Sequence, residues 1–155
     1  MLEKLAWTPI AKVHQRKPIC VRQDAPLGGV VDAMREHHRS AVVVVDAEGH
    51  LVGLFTERDA LARLSHADAS WPAWPVAEVM TRSPTTVGAQ DSIRMALQRM
   101  RENDHRHLPV VDADFRPVMI VAMRDVLAYV AEWYPQEFVN LPPTPAQEAR
   151  EQWGG

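Results

Sequence analysis

Between Leu27 and His37 the apolar residues Leu27, Val30, Val31 and Met34 fall in a stripe. Their i, i+3, i+4, i+7 spacing predicts an amphipathic helix. The stripe returns 66 positions later over Ile93 to Asn103, at Ile93, Ala96, Leu97 and Met100. Before each helix lies a short extended piece that follows a proline, ICVR or TTVG. After each comes AVVVVD or LPVVD, a β-branched run too apolar to be half exposed, which predicts a buried strand. A turn follows (AEGH, ADFR), with Gly49 suited to a tight reversal in the first copy. The next strand is LVGLF or VMIV, and an Arg-Asp pair then opens a second helix. The predicted order is β-α-β-β-α, twice.

The echo covers most of the chain. With an offset of 66, Pro9 to Leu61 aligns without a gap on Pro75 to Leu127, and 17 of 53 positions are identical. Chance would give about three or four at average residue usage. Among the matches, Pro9, Arg16 and Pro18 recur as Pro75, Arg82 and Pro84, and Met34-Arg35-Glu36 recurs as Met100-Arg101-Glu102. Two copies of about 60 residues suggest paired small domains rather than a solenoid. The reading is therefore an α+β chain with a first domain over 9–66, a second over 75–133 and a tail over 134–155. SHADASWPAWP joins the copies, with Pro72 and Pro75 as breakers. One repeat alone would be marginal, because small domains bury a small share of their surface. Packing two about a pseudo-twofold axis buries both sheets and sets equivalent residues across shared clefts.

Composition narrows the function. The chain has 155 residues, 46% hydrophobic, with 17 basic against 20 acidic residues and a net charge of −3. That argues against non-specific nucleic-acid binding, which draws on excess positive charge. One cysteine, Cys20, makes no internal disulfide, so a reducing cytoplasm is expected. No apolar run reaches the ~18 residues of a membrane span. There is no G-x-x-x-x-G-K-[ST] loop, no G-x-G-x-x-G after a strand and no catalytic triad order, so no enzyme is expected. Glu36-His37-His38-Arg39 and His105-Arg106-His107 lack cysteines or a carboxylate partner at helix spacing, and read as surface histidines rather than a metal site. Trp7, Trp71, Trp74 and Trp133 flank the repeats and suit core or interface equally.

Candidate chemistry sits where each last helix begins. Thr56-Glu57-Arg58-Asp59 fits a capping box, Ser/Thr-x-x-acid. In the second copy Ala122 cannot cap, yet Arg124 and Asp125 remain. A carboxylate in a first helical turn gains from the macrodipole in any case. It also suits a ribose diol, which presents two donors to its two acceptor oxygens. A helix N-terminus favours phosphate, so cap and ligand contact are compatible.

With these features the chain resembles a tandem pair of CBS domains, the regulatory module named after cystathionine β-synthase, also called a Bateman module. The residues that carry the likeness are the β-α-β-β-α repeat, SAVVVVD and RHLPVVD, VAEVMTRSP before the second copy, and GLFTERDAL. The resemblance implies two clefts that bind adenosine-containing ligands such as AMP, ADP, ATP, NAD or S-adenosylmethionine. It implies ribose binding by Asp59 and Asp125, and phosphate contact by Thr56, which Ala122 cannot reproduce. Basic residues before the strand and before the aspartate would reach phosphate in the cleft whose aspartate belongs to the other copy. One expected cleft therefore combines Thr56 and Asp59 with Arg106, His107 and Arg124. The other combines Asp125 and Arg58 with Ser40 and Ala41, and the Asp59 cleft is expected to suit a phosphorylated ligand better. The resemblance further implies a non-catalytic sensor that passes on ligand binding through a changed domain or dimer arrangement, as a homodimer, to a regulated protein. The alternative is a structural dimer or adaptor with degenerate clefts, acting through its proline-containing NLPPTP tail.

Overall fold

The computed structural model describes residues 2–13 and 16–135. The tail expected over 134–155, NLPPTP included, lies outside the described residues apart from Tyr134 and Pro135. The first repeat runs β1 (Cys20–Arg22), α2 (Leu27–Glu36), β2 (Ala41–Val45), β3 (Leu51–Thr56) and α3 (Glu57–Leu64). The second runs β5 (Val87–Gly88), α4 (Ile93–Glu102), β6 (His107–Val111), β7 (Pro117–Ala122) and α5 (Met123–Trp133). The α+β class and the doubled β-α-β-β-α order are both present. A short α1 (Leu2–Ala6) precedes the first repeat, and β4 (Thr81–Arg82) precedes the second. No helix among the described residues is long and apolar enough to cross a membrane.

Each sheet places a parallel pair beside an antiparallel hairpin. The first has the order β1-β2-β3-β4 and the second β5-β6-β7. In both hairpins the register shifts at the same place, between Val44 and Val45 and between Val110 and Val111. The turns also match: Gly49 has φ +88° and its counterpart Phe115 φ +60°. A left-handed backbone at this turn is easier for glycine than for phenylalanine. The AVVVV run is buried throughout because β2 is covered on both faces. Val42 and Val44 pack with Leu27, Val30 and Met34 of α2. Ala41 and Val43 face the other way, with Leu51 and Leu54, towards Val111 and Ile120 of the second sheet. Period-2 alternation thus assigns half of the strand to its own helices and half to the contact between repeats.

The two cores are completed by exchange. Ile10 and Val13, which precede the first repeat, are buried in the second repeat's core with Val87, Ile93 and Met100. Val76, Val79 and Met80, which precede the second, are buried in the first repeat's core. Backbone hydrogen bonds repeat the swap at the same offset. Ile10 N donates to Asp91 O (2.9 Å) as Val76 N donates to Ala25 O (3.0 Å). Ile93 N donates to Thr8 O as Leu27 N donates to Trp74 O, both at 2.8 Å. Strand β4 pairs with β3 of the first sheet, while Arg16 bridges to Ile120 of the second.

The joining segment is part of this packing. Trp71 and Trp74 pack against the first core, whereas Trp7 and Trp133 are exposed. Gly28 makes the close approach possible: a Cβ there would lie 3.0 Å from Pro72 Cβ and 3.2 Å from its carbonyl oxygen.

Ile10 is fully buried, so Ile10→Ala should cost about 2–5 kcal/mol in a urea melt. The loss should appear as faster amide exchange in α4 and β6 of the second repeat, the core that Ile10 enters. Exchange that speeds only in the first repeat would contradict the swapped packing.

Candidate functional site

Both Arg-Asp motifs lie where a strand delivers the chain to a helix N-terminus. At α3, Thr56 is the N-cap: its Oγ1 accepts from Asp59 N (3.2 Å), while Asp59 Oδ2 accepts from Thr56 N and from the Thr56 hydroxyl, both at 3.0 Å. The capping box expected from the sequence is formed. A cap of this kind stabilises a helix by about 0.5–2 kcal/mol. At α5 only the carboxylate half survives, and Asp125 Oδ2 accepts from Ala122 N at 2.9 Å.

The two aspartates differ in setting. Asp59 is half-buried, whereas Asp125 is 4% exposed. A buried carboxylate needs compensating charge. Asp125 has it from Arg16 Nε at 3.9 Å and Arg124 Nε at 4.0 Å, both facing Oδ1. These distances allow attraction without a hydrogen bond. One oxygen thus holds the helix start, and the other remains a free acceptor between two guanidinium groups.

Asp125 lies in a half-open cleft between the repeats. Its walls come from both copies. Arg16, Lys17, Pro18 and Ile19 lead into β1, while Arg39, Ser40 and Ala41 lead into β2. The second repeat contributes His107, Ile120, Ala122 and Arg124. Apolar wall atoms thus sit beside four basic side chains and one carboxylate. At the bottom, His107 Nε2 lies 2.9 Å from Ser40 Oγ, a contact that ties the starts of β6 and β2 together. Burial, the largest influence, and the Arg124 charge lower the His107 pKa below its ordinary value, and Asp125 and Glu57 offset them only in part.

Arg124 and His107 line the cleft of Asp125, on their own repeat. Arg58 does not line the Asp125 cleft, because its guanidinium is drawn to the end of α4, where it donates to Asp104 Oδ2 (3.1 Å) and Asp104 O (3.3 Å). Arg106 is exposed, and its carbonyl accepts from Met123 N at the start of α5. Ser40 and Ala41 do line the Asp125 cleft. Sequence reasoning missed Arg16, Lys17 and Arg39 as cleft residues. The available signal was the recurrence of Arg16-x-Pro18 as Arg82-x-Pro84.

The histidine runs considered at first do not gather. Among the described residues, Asp46, Glu48 and His50 are the group whose ligating atoms approach one another within 4.8 Å. A turn accounts for them: Asp46 Oδ1 accepts from Glu48 N (3.0 Å) and His50 N (2.8 Å). Asp112 Oδ1 accepts from Asp114 N and Arg116 N in the same way in the second copy, where arginine replaces the histidine. The recurring device is a capped hairpin turn.

Because the folded state holds His107 below the imidazole value of 6.5, the unfolded chain binds the proton more readily. Stability contributed by neutral His107 is complete above pH 6.5 and falls as pH drops from there through the folded-state pKa. A pH series of thermal melts should show this loss, and His107→Gln should flatten it. An unchanged slope in the variant would contradict the assignment.

A family model described as CBS domain matches residues 10–66 and 76–132. An uncharacterized 17.7 kDa protein of Acidianus ambivalens is 27% identical over 92% of this chain and 83% of its own length. By contrast, the chain spans only 27% and 21% of two longer relatives from Methanocaldococcus jannaschii. The crystal structure of the CBS domain of a CBS domain containing membrane protein from Sphaerobacter thermophilus is 30% identical. It superposes with a TM-score of 0.69, covering 81% of this chain and 90% of its own. The CBS domain pair of protein MJ0100, solved in complex with 5′-methylthioadenosine and S-adenosyl-L-methionine, shares the fold at 23% identity. Its TM-score is 0.70, with 81% of this chain and 97% of its own covered. With both repeats matched and the fold shared, the chain belongs to the CBS-domain family, as a tandem pair.

Proposed function

We propose that the protein is a non-catalytic regulatory module whose inter-repeat clefts bind adenosine-containing ligands of the AMP, ADP, ATP or NAD type. The observation that carries this reading is the free Oδ1 of buried Asp125, held in a cation-lined cleft with apolar walls. A ribose diol supplies two donors to such a carboxylate, and an adenine ring suits the apolar surface of Ile19, Ala41 and Ile120. The fold neighbour solved with 5′-methylthioadenosine and S-adenosyl-L-methionine supports the ligand class. Asp59, with Thr56 beside it, is the corresponding residue for the second cleft. Arg124 and His107 line the Asp125 cleft, so that cleft rather than the Asp59 cleft is assigned as the principal site.

A sensor needs a ligand that favours one arrangement over another. The cleft spans both repeats, so its occupant touches segments whose relative placement can change. The module is further assigned as a homodimer that acts on a separate protein. Leu61 on α3 and Leu127 on α5, equivalent in the repeat, are 77% and 50% exposed. A second copy covers this apolar pair.

A thermal-shift panel with AMP, ADP, ATP, NAD and S-adenosylmethionine tests the reading. A ligand at 100 times its dissociation constant adds about 2.7 kcal/mol, which moves the midpoint by roughly 5–10 °C for a chain this size. Asp125→Asn keeps an acceptor for Ala122 N and should reduce the shift sharply, with Asp59→Asn having the smaller effect. No shift from any of the five ligands would overturn the proposal.

A further inference from the structure

We infer that the Asp125 cleft selects its ligand by phosphate number, taking a nucleoside di- or triphosphate in preference to a neutral or cationic adenosine compound. This rests on the adenosine reading above and goes beyond it to the charge of the occupant. The lining carries Arg16, Lys17, Arg39 and Arg124 against the single carboxylate Asp125. Arg16 and Arg124 share that carboxylate at 3.9 and 4.0 Å, so one negative charge is divided between two cations. Among the described residues, neither Arg39 nor Lys17 has a side-chain hydrogen bond or ion pair. The basic side chains of the cleft exceed the anionic charge that the protein itself supplies there.

Two backbone donors beside the cleft are already taken. At the start of α5, Ala122 N is taken by Asp125 and Met123 N by the Arg106 carbonyl. Ala122 also lacks the hydroxyl that Thr56 has at the equivalent position. The formal positive charge of the site therefore comes from guanidinium and ammonium groups. Such groups grip phosphate more strongly as its charge grows, and arginine does so in a planar, two-pronged geometry. A ligand carrying its own positive charge meets the same groups as repulsion.

The other copy provides the contrast. Ser83 stands in place of Lys17 and His105 in place of Arg39. Its remaining arginines are engaged, Arg82 with the Ala77 carbonyl and Arg58 with Asp104. Four basic positions in one copy thus correspond to two occupied arginines, a serine and a histidine in the other.

Isothermal titration of the full chain with ATP, ADP, AMP and 5′-methylthioadenosine tests the inference. Affinity should rise with each added phosphate and reach at least about tenfold between AMP and ATP, the factor set by one charge-assisted contact. Raising KCl should weaken ATP more than AMP. Arg39→Ala should weaken ATP by about tenfold and leave 5′-methylthioadenosine within about twofold, while Asp125→Asn should weaken every ligand. Equal or tighter binding of AMP and 5′-methylthioadenosine, with Arg39→Ala neutral, would overturn the phosphate selection and leave the adenosine reading standing. Absence of binding by all four would overturn both.

Discussion

Each repeat is completed by the segment that precedes the other. Ile10 and Val13 enter the second core, and Val76, Val79 and Met80 enter the first. Fully burying one aliphatic side chain is worth about 1.5–3 kcal/mol, a large fraction of the 5–15 kcal/mol by which a domain is stable. Two repeats that depend on each other in this way form one core-sharing unit. The exchange also places residues: after leaving the second core at Val13, the chain passes Arg16 beside Asp125 and Ile120 on its way to β1.

The clefts follow from that path. A carboxylate 4% exposed is stabilised here by cations from both copies, Arg16 from before the first repeat and Arg124 from its own helix. Asp125 has one bonded and one unbonded oxygen, as Asp59 does, but its unbonded oxygen lies near two arginines. At α3 the complete capping box binds Thr56 and Asp59 to each other. The asymmetry of a threonine kept once and an aspartate kept twice thus corresponds to two differently built helix starts. One has its hydroxyl and carboxylate bonded to each other, and the other has no hydroxyl and faces a basic cleft.

Much of the fold was legible because its interactions occur twice. The helix stripes Leu27, Val30, Met34 and Ile93, Ala96, Met100 are the buried faces observed. The β-branched run of β2 signalled burial on both faces. Other features carried no such signal. Helix α1 is five residues long, too short to show a period. The exchange was hidden because self-alignment identifies equivalent segments without saying which copy they pack against. Ile10 and Val13 belong to the first repeat by sequence and to the second core by contact. That ambiguity left Arg16, Lys17 and Arg39 unread as lining of the Asp125 cleft. Arg58 is drawn instead to Asp104, 46 residues away in sequence, a partner that only the folded chain brings within reach.

The central claim is that Asp125 holds a ribose in the cleft between the repeats. A crystal structure of the full chain grown with ADP tests it most directly. The account predicts one ADP in that cleft, its ribose hydroxyls donating to Asp125 and its phosphates against the basic lining. ADP bound only beside Asp59, or with its phosphates rather than its ribose nearest Asp125, would contradict it.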